Sequence, residues 1–363
     1  MKRILAVLTA VVLVITAFAS CSKEREGHKI YIRDEFSADE IKVKFLNSAN
    51  SAKETVVADK LDENDDYTSY SIIGDTKKYD RLIIDSDGSE SMELAFNEYV
   101  NGWRLSAYGA VPYTYDEKEE TPDYAIKTFK YDKTEKDIYI HTPKGYKKNS
   151  DKKYPVIYMT DGQNLFEKGA TSHGCWNVAE SVRSMQKNSG KSAIIVGIDD
   201  STSNRDSELT PNIGKVVDVS NVDRGVFKDG TGKYYSDFLV NTVMPYIEKT
   251  YNVYTDPEHT AIAGSSSGGI ESFYIGMEHP EKFGTIGALS PAFGLYDDNT
   301  WVKYLKSKNL NKNKPYVYIY NGENDDLEKY LKEGASSMVD NLKQVGYTDK
   351  DYTLKIYKKG MHT

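Results

Sequence analysis

Gly264-Ser265-Ser266-Ser267-Gly268-Gly269 is the stretch on which the reading of the fold turns. Ahead of it, His259-Thr260-Ala261-Ile262-Ala263 is a short apolar run suited to a buried strand. Behind it, Ile270, Phe273, Tyr274 and Met277 recur at helical spacing. Strand, sharp glycine-rich turn and helix form the setting of a nucleophile elbow, where the turn strains a serine and lifts its hydroxyl clear of the sheet. Only one register of G-x-S-x-G fits, with Gly264, Ser266 and Gly268, so Ser266 is the candidate nucleophile. A chain of this length yields about 0.1 such pentapeptides by chance. The flanks carry the reading, against the plainer one of a Gly/Ser-rich loop capping a helix.

A serine hydroxyl attacks only when a base takes its proton, and the base needs an orienting acid. With this elbow the partners follow in the order serine, acid, histidine. Of the six histidines, only His279 and His362 follow Ser266. His279 closes the helix that Ser266 opens and precedes Pro280, a helix stop, which leaves His362 as the expected base. The acid is expected in Asn321-Gly322-Glu323-Asn324-Asp325-Asp326, after the apolar strand at 316–320. Asp325 is the first choice there and Glu323 the second. The oxyanion hole needs two preorganised N–H donors. Ser267 supplies one, and Gln163 in Asp161-Gly162-Gln163-Asn164, beyond a strand at 156–159, supplies the other. Trp176, Tyr234 and Tyr235 are candidates to line the substrate cleft, although Trp176 opens an amphipathic stretch and reads more readily as core.

The rest of the chain divides by pattern. Residues 28–108 alternate in short segments, with turn-forming clusters between them, and predict a small all-β sandwich. Residues 109–124 read as a linker, and 125–363 alternate strands and helices, the mark of a mostly parallel α/β sheet. Lys2 and Arg3 followed by an apolar stretch predict an export signal over 1–20, with a charged tether at 21–27. Phe18-Ala19-Ser20-Cys21 resembles a bacterial lipobox, so Cys21 is the expected lipidation site, anchoring an extracytoplasmic protein to the cell membrane. Ala17-Phe18-Ala19 offers ordinary cleavage and secretion as the alternative. With two cysteines, no disulfide framework is implied. The net charge of −8 argues against a nucleic-acid partner. The acidic run at 62–66 lacks the spacing of a calcium loop and reads as a solvated turn, so no metal is expected.

With these residues in place, 125–363 resembles the esterase family of α/β hydrolases, which includes feruloyl esterases, acetyl-xylan esterase-like enzymes, enterochelin-esterase-like proteins and the antigen-85 acyltransferases. The likeness lies in Thr142-Pro143-Lys144-Gly145-Tyr146, in Tyr158-Met159-Thr160-Asp161-Gly162-Gln163-Asn164-Leu165-Phe166, in Arg205 with Glu208-Leu209-Thr210-Pro211, in the elbow, and in His279-Pro280 followed by Phe283. Gly322-Glu323-Asn324-Asp325 resembles the Gly-Thr-Asn-Asp acid loop of feruloyl esterases, which favours Asp325, and Gly360-Met361-His362 is similar to the family's Gly-Gly-His. The resemblance implies an α/β-hydrolase domain and carboxylic ester hydrolysis without metal or cofactor. It also implies a C-terminal helix beyond the histidine; the sequence ends at Thr363, so weak activity and limited solubility are expected.

The segment 28–108 resembles the small starch-binding modules of amylases through the order of its features, 41–45, 67–72, 82–84, Leu94 and Asn101-Gly102-Trp103, with Phe36 near the place of an early tryptophan. This implies possible α-glucan binding. The expected function is an exported serine esterase acting on acyl groups attached to plant polysaccharide or oligosaccharide. A siderophore esterase of enterochelin type and an inactive surface glycan-binding lipoprotein are the alternatives.

Overall fold

The computed structural model describes residues 27–36, 38–63, 67–91, 93–96, 102–106, 109–112, 124–166, 175–200, 204–217, 230–308, 310, 313–358, 360 and 362. The expected signal segment, Cys21, nearly all of the tether and residues 113–123 of the expected linker lie outside them. The chain divides into two compact units. One gathers residues 124–165 and 193–362; the other gathers the described residues up to 112 together with 175–192 and Phe166.

The N-terminal unit contains β1 (His28–Asp34), β2 (Ile41–Leu46), β3 (Lys53–Val57), β4 (Asp59–Glu63), β5 (Thr68–Gly74), β6 (Arg81–Ser86), β7 (Ser89–Glu90), β8 (Leu94–Ala95), β9 (Gly102–Ser106) and β10 (Gly109–Pro112). They form two sheets, ordered β10-β9-β1-β5-β4 and β3-β2-β6-β7, with β8 also on β6. Alternate residues turn inward: Ile30, Ile32, Tyr70, Ile72 and Trp103 from one sheet meet Ile41, Val43, Phe45, Leu82 and Ile84 from the other in one buried cluster. The expected boundary at residue 108 moves, because Gly109–Pro112 pairs antiparallel with β9. That strand covers an edge that would otherwise lie open. β4 carries no buried residue and is held by its ladder to β5, so nothing in its hydrophobic pattern marks it as a strand.

Helix α1 (Val178–Ser189) belongs to the same unit. Arg104 of β9 ties the two together: its guanidinium donates to Asn177 Oδ1 and faces Glu35 at 3.5 Å and Glu180 at 3.6 Å. The helix begins two residues after Trp176 because Asn177 takes a left-handed backbone, φ 52°.

The second unit is built on an eight-stranded sheet of β11 (Tyr124–Tyr131), β12 (Thr134–His141), β13 (Val156–Met159), β14 (Ile194–Ile198), β15 (Thr260–Ser265), β16 (Thr285–Leu289), β17 (Tyr316–Gly322) and β18 (Tyr352–Tyr357), in the order β11-β12-β14-β13-β15-β16-β17-β18. The first two form an antiparallel hairpin, of which β12 runs against its neighbour β14; from β14 to β18 every pair is parallel. Central strands β13 and β14 are buried throughout, as expected where helices cover both faces. Short α2 (Arg205–Glu208), α3 (Gly232–Phe238), a π turn (Leu239–Val243), α4 (Met244–Thr250), α5 (Ser267–Glu278), α6 (Asp298–Lys306) and α7 (Asp326–Gln344) complete the unit. This is an α/β-hydrolase domain with a small β domain ahead of it.

Candidate active site

The parallel strands end together on one side of the sheet, and three of these ends carry strain. Asp161 after β13, Ser266 after β15 and Ser290 after β16 all have positive φ, at 56°, 58° and 41°, on three strands that are neighbours in the sheet. Each such residue costs about 1–3 kcal/mol and persists only where its surroundings enforce it.

At Ser266 the enforcement is visible. Its backbone has φ 58° and ψ −120°. Its N–H donates to Leu289 O at 2.9 Å, and its carbonyl accepts from Gly269, Ile270 and Ala292 N–H at 3.1, 3.2 and 3.1 Å. The turn closes because its glycines allow contact: a Cβ on Gly264 would lie 2.4 Å from Gly268 O, and one on Gly268 would lie 2.1 Å from Thr160 Oγ1. Ser266 is therefore the N-cap of α5 and stands at the tip of β15. Its hydroxyl makes no hydrogen bond to a described residue. Such bonds often form only when substrate is bound.

His362 is half-buried, and its ring is held by an acid the sequence did not single out. Nδ1 lies 2.6 Å from Glu328 Oε1. A carboxylate only accepts, so Nδ1 carries the proton and Nε2 is left as the basic nitrogen. Glu328 is fully buried. Its second oxygen accepts from Gly322 N at 2.6 Å, Asn321 Nδ2 at 2.7 Å and Ser290 Oγ at 3.0 Å, which fixes the plane of the carboxylate.

Asp325, expected on the imidazole, is not there. Its Oδ1 accepts from Glu328 N at 2.8 Å as the N-cap of α7, and its Oδ2 accepts from the His362 backbone N at 2.7 Å. Burial would raise the Asp325 carboxyl, but the N–H groups of Glu328 and His362 outweigh it and hold the carboxyl below its ordinary value. Glu323, the second choice, is paired with Lys332 at 2.9 Å. Asp325-Asp326-Leu327-Glu328 has the spacing of a capping box, which was the available signal for Glu328. Here the glutamate turns instead to Gly322 and His362.

Of the oxyanion candidates, Ser267 is in the elbow itself and Gln163 follows the neighbouring strand. Gly162–Asn164 forms a 3-10 turn directly after β13, beside β15. That turn uses the N–H groups of Asn164 and Leu165, and Gly162 packs so closely on Gly197 that a Cβ would come within 2.6 Å of its carbonyl carbon. The Gln163 N–H is thus not consumed by the turn, and the Ser267 N–H opens α5 without an intrahelical acceptor. The Ser267 hydroxyl donates to Asp206 at 2.9 Å.

One cleft candidate fares differently from expectation. Tyr235 is fully buried, with its hydroxyl donating to Ile198 O at 3.3 Å, so it is a core residue behind β14 and lines no open cleft. Burial raises its phenol well above the ordinary tyrosine range. Its neighbour Tyr234 is 68% exposed. Trp176 is half-buried ahead of α1, in the N-terminal unit. Among the described residues, no cluster of histidine, cysteine or acidic side chains could hold a metal ion.

Comparison with known proteins follows the same outline. The family model described as "Putative esterase" matches residues 131–362. Uncharacterized protein YbbA of Bacillus subtilis (strain 168) is 24% identical over 227 residues, which cover 61% of this chain and 84% of that protein. An endo-1,4-beta-xylanase/feruloyl esterase of Xylanibacter ruminicola is 27% identical over 216 residues; these cover 57% of this chain but only 25% of that larger protein. Among solved structures, an IroE-like serine hydrolase from Shewanella oneidensis superimposes with a TM-score of 0.51 at 20% identity, covering 66% of this chain and 75% of that one. At that identity the likeness speaks for the fold.

Proposed function

The chain belongs to the esterase family and is a carboxylic ester hydrolase, and we propose that it works through a Ser266–His362–Glu328 triad on acyl esters carried by plant polysaccharide or oligosaccharide. The observation that carries the triad is the buried Glu328 carboxylate on His362 Nδ1, at the same sheet edge as the strained Ser266. In this reading Nε2 takes the proton from Ser266 Oγ as the oxygen attacks the ester carbonyl. The tetrahedral oxyanion is met by the N–H groups of Ser267 and Gln163. The imidazolium, stabilised by Glu328, returns its proton to the departing alkoxide. Water then repeats the sequence on the acyl-enzyme, with Ser266 as leaving group. No step needs a metal or cofactor. The carbohydrate ester is supported by the relative named as a xylanase/feruloyl esterase, and by the expected export signal, which would bring the protein to such a substrate.

The test is a screen of feruloylated arabinoxylan, acetylated xylan and a catecholate trilactone, run beside Ser266→Ala. The acyl xylans should be turned over and the trilactone spared, and Ser266→Ala should lose several powers of ten in rate with the fold intact. Preference for the trilactone would move the substrate to siderophores; near-normal turnover by the variant would remove Ser266 from the mechanism. Two further assignments are part of the proposal: α-glucan binding by the N-terminal sandwich, supported by its feature order and by Phe36 at 57% exposure, and lipid anchoring at Cys21.

A further inference from the structure

Behind the oxyanion loop lie two carboxyl groups that the mechanism above does not use. Asp161 and Asp200 follow the adjacent strands β13 and β14 and are 2% and 1% exposed. One guanidinium faces both. Arg205 Nε donates to Asp161 Oδ1 at 2.5 Å and Nη2 to Asp161 Oδ2 at 2.9 Å, while Asp200 Oδ2 stands 3.8 Å from Nε. Arg205 Nη2 also lies 3.5 Å from the carbonyl of Ser265, the residue before the nucleophile. Asp200 Oδ1 accepts from Gln163 Nε2 at 3.1 Å, whereas Oδ2 has no hydrogen-bond partner among the described residues as an acceptor. Each carboxyl lies within 3.8 Å of the same guanidinium nitrogen, Arg205 Nε. Two buried negative charges at one guanidinium repel, and a proton between them removes both the repulsion and the orphaned oxygen.

We propose that Asp200 is a positioning residue for the oxyanion loop, holding Gln163 through Oδ1 and Asp161 through a proton on Oδ2. Its link to catalysis rests on the serine-esterase reading. Asp161 begins the loop in a left-handed backbone, and Gln163 carries the donor N–H. Losing either tether therefore displaces the group meant to meet the oxyanion. Asp200 is never in contact with substrate in this scheme; it acts through Gln163 and Asp161.

The charge balance supports the assignment. Burial, then the charge and hydrogen bond of Asp161, push the Asp200 carboxyl up to about 9. Asp161 is equally buried, yet Arg205 holds it below its ordinary value. Among the described residues, the other groups facing the pair are Asp199 beside it, Asp206 on the far side of Arg205, and Tyr235 from α3. Lys136 of β12 and Glu208 of α2 pair at 2.6 Å and act on Asp199, as does Asp137. Asp199, raised chiefly by burial to about 6, ionises well before the range at issue. Because the folded-state value of Asp200 lies above the ordinary 3.8, its contribution is complete at low pH and is lost as pH rises through about 9.

The experiment compares the full chain with Asp200→Asn and Asp200→Leu, reading kcat, KM and Tm from pH 6 to 10. Asparagine keeps the acceptor for Gln163 and replaces the proton on Oδ2 with an amide N–H. Leucine removes both. Wild-type kcat should fall between pH 8 and 10, while wild-type Tm should decline steadily from pH 6 and level off near pH 9. Asp200→Leu should lose about 100-fold in kcat at pH 7 with KM little changed, as for a small misplacement of catalytic groups. Asp200→Asn should restore most of that loss and show no alkaline fall in either quantity. The proposal is overturned if Asp200→Asn follows the wild-type alkaline fall, or if Asp200→Leu keeps wild-type kcat. The thermal readout needs no substrate, so absence of ester turnover in the wild type would sink the esterase reading without touching the carboxyl pair.

Discussion

The turn at Ser266 and the loop that brings Glu328 to His362 stand at the same end of one sheet's strands, and we propose them as nucleophile and acid–base pair, but they are made differently. The turn is local. Ser266, its two flanking glycines, the strand before and the helix after lie within twenty residues, and each hydrogen bond on the Ser266 carbonyl comes from within twenty-six. The acid–base loop is assembled from afar. Ser290 after β16, Asn321 and Gly322 at the end of β17, Glu328 in α7 and His362 past β18 converge on one carboxylate. A local device can be read from composition and spacing; a convergent one depends on how separate elements pack.

The sharpest way to break the comparison is to exchange acids in the convergent loop. Glu328→Gln should reduce kcat by about 10³–10⁴-fold, because an amide on Nδ1 favours the wrong imidazole tautomer. Asp325→Asn should cost tenfold or less, since that side chain holds backbone N–H groups. Turnover of an aryl acetate with both variants checks the ranking. The reverse order would return the triad acid to Asp325 and leave Glu328 a structural residue.

A smaller effect is expected from the local device, and it falls on stability. Gly264→Ala adds a methyl group whose contacts include the backbone carbonyl of Gly268, which cannot turn aside. Overpacking of this kind costs about 1–3 kcal/mol. A lowered Tm, with kcat reduced in the fraction that remains folded, is the expected result. An unchanged Tm would mean that strand and helix at the elbow have room to separate, and that the glycines are there for another reason.

What could be read from sequence follows this division. The elbow, the sheet strands with continuous apolar runs and α7 all stand where periodicity and turn chemistry put them. Strand β16, Thr-Ile-Gly-Ala-Leu, was not legible: it is short, small-residued and carries a central glycine, and its neighbours β15 and β17 supply the ladder that makes it a strand. The carboxylate on the imidazole is hard to read for a related reason. Asp325 and Glu328 are three residues apart, so the loop is legible, but which carboxylate turns to the imidazole is settled by α7. The helix begins at Asp326 and makes Asp325 its cap. Tyrosine suits both surfaces and cores, and the fully buried Tyr235 hydroxyl on Ile198 O decides for the core.

The smallest effect is the most discriminating for how the convergent loop is held. Asp325 binds two backbones with one carboxylate: the N–H of Glu328 on Oδ1 and that of His362 on Oδ2. It thereby fixes the acid and the base relative to each other without touching the imidazole. Asp325→Ala removes both bonds and the cap of α7, and a lost cap costs about 1 kcal/mol. A modest fall in Tm at pH 7 should accompany a several-fold loss of kcat. The acid dependence supplies the control. The carboxyl is held below its ordinary 3.8 by those same N–H groups, so its stabilisation is fully present above that pH and is lost as pH falls through the lower folded-state value. Wild type and Asp325→Ala should therefore differ in Tm at pH 7, and the gap should narrow as the pH falls below 3.8. A gap of equal size at pH 7 and below pH 3.8 would assign the loss to packing of the side chain and leave the two backbone bonds without a measurable role.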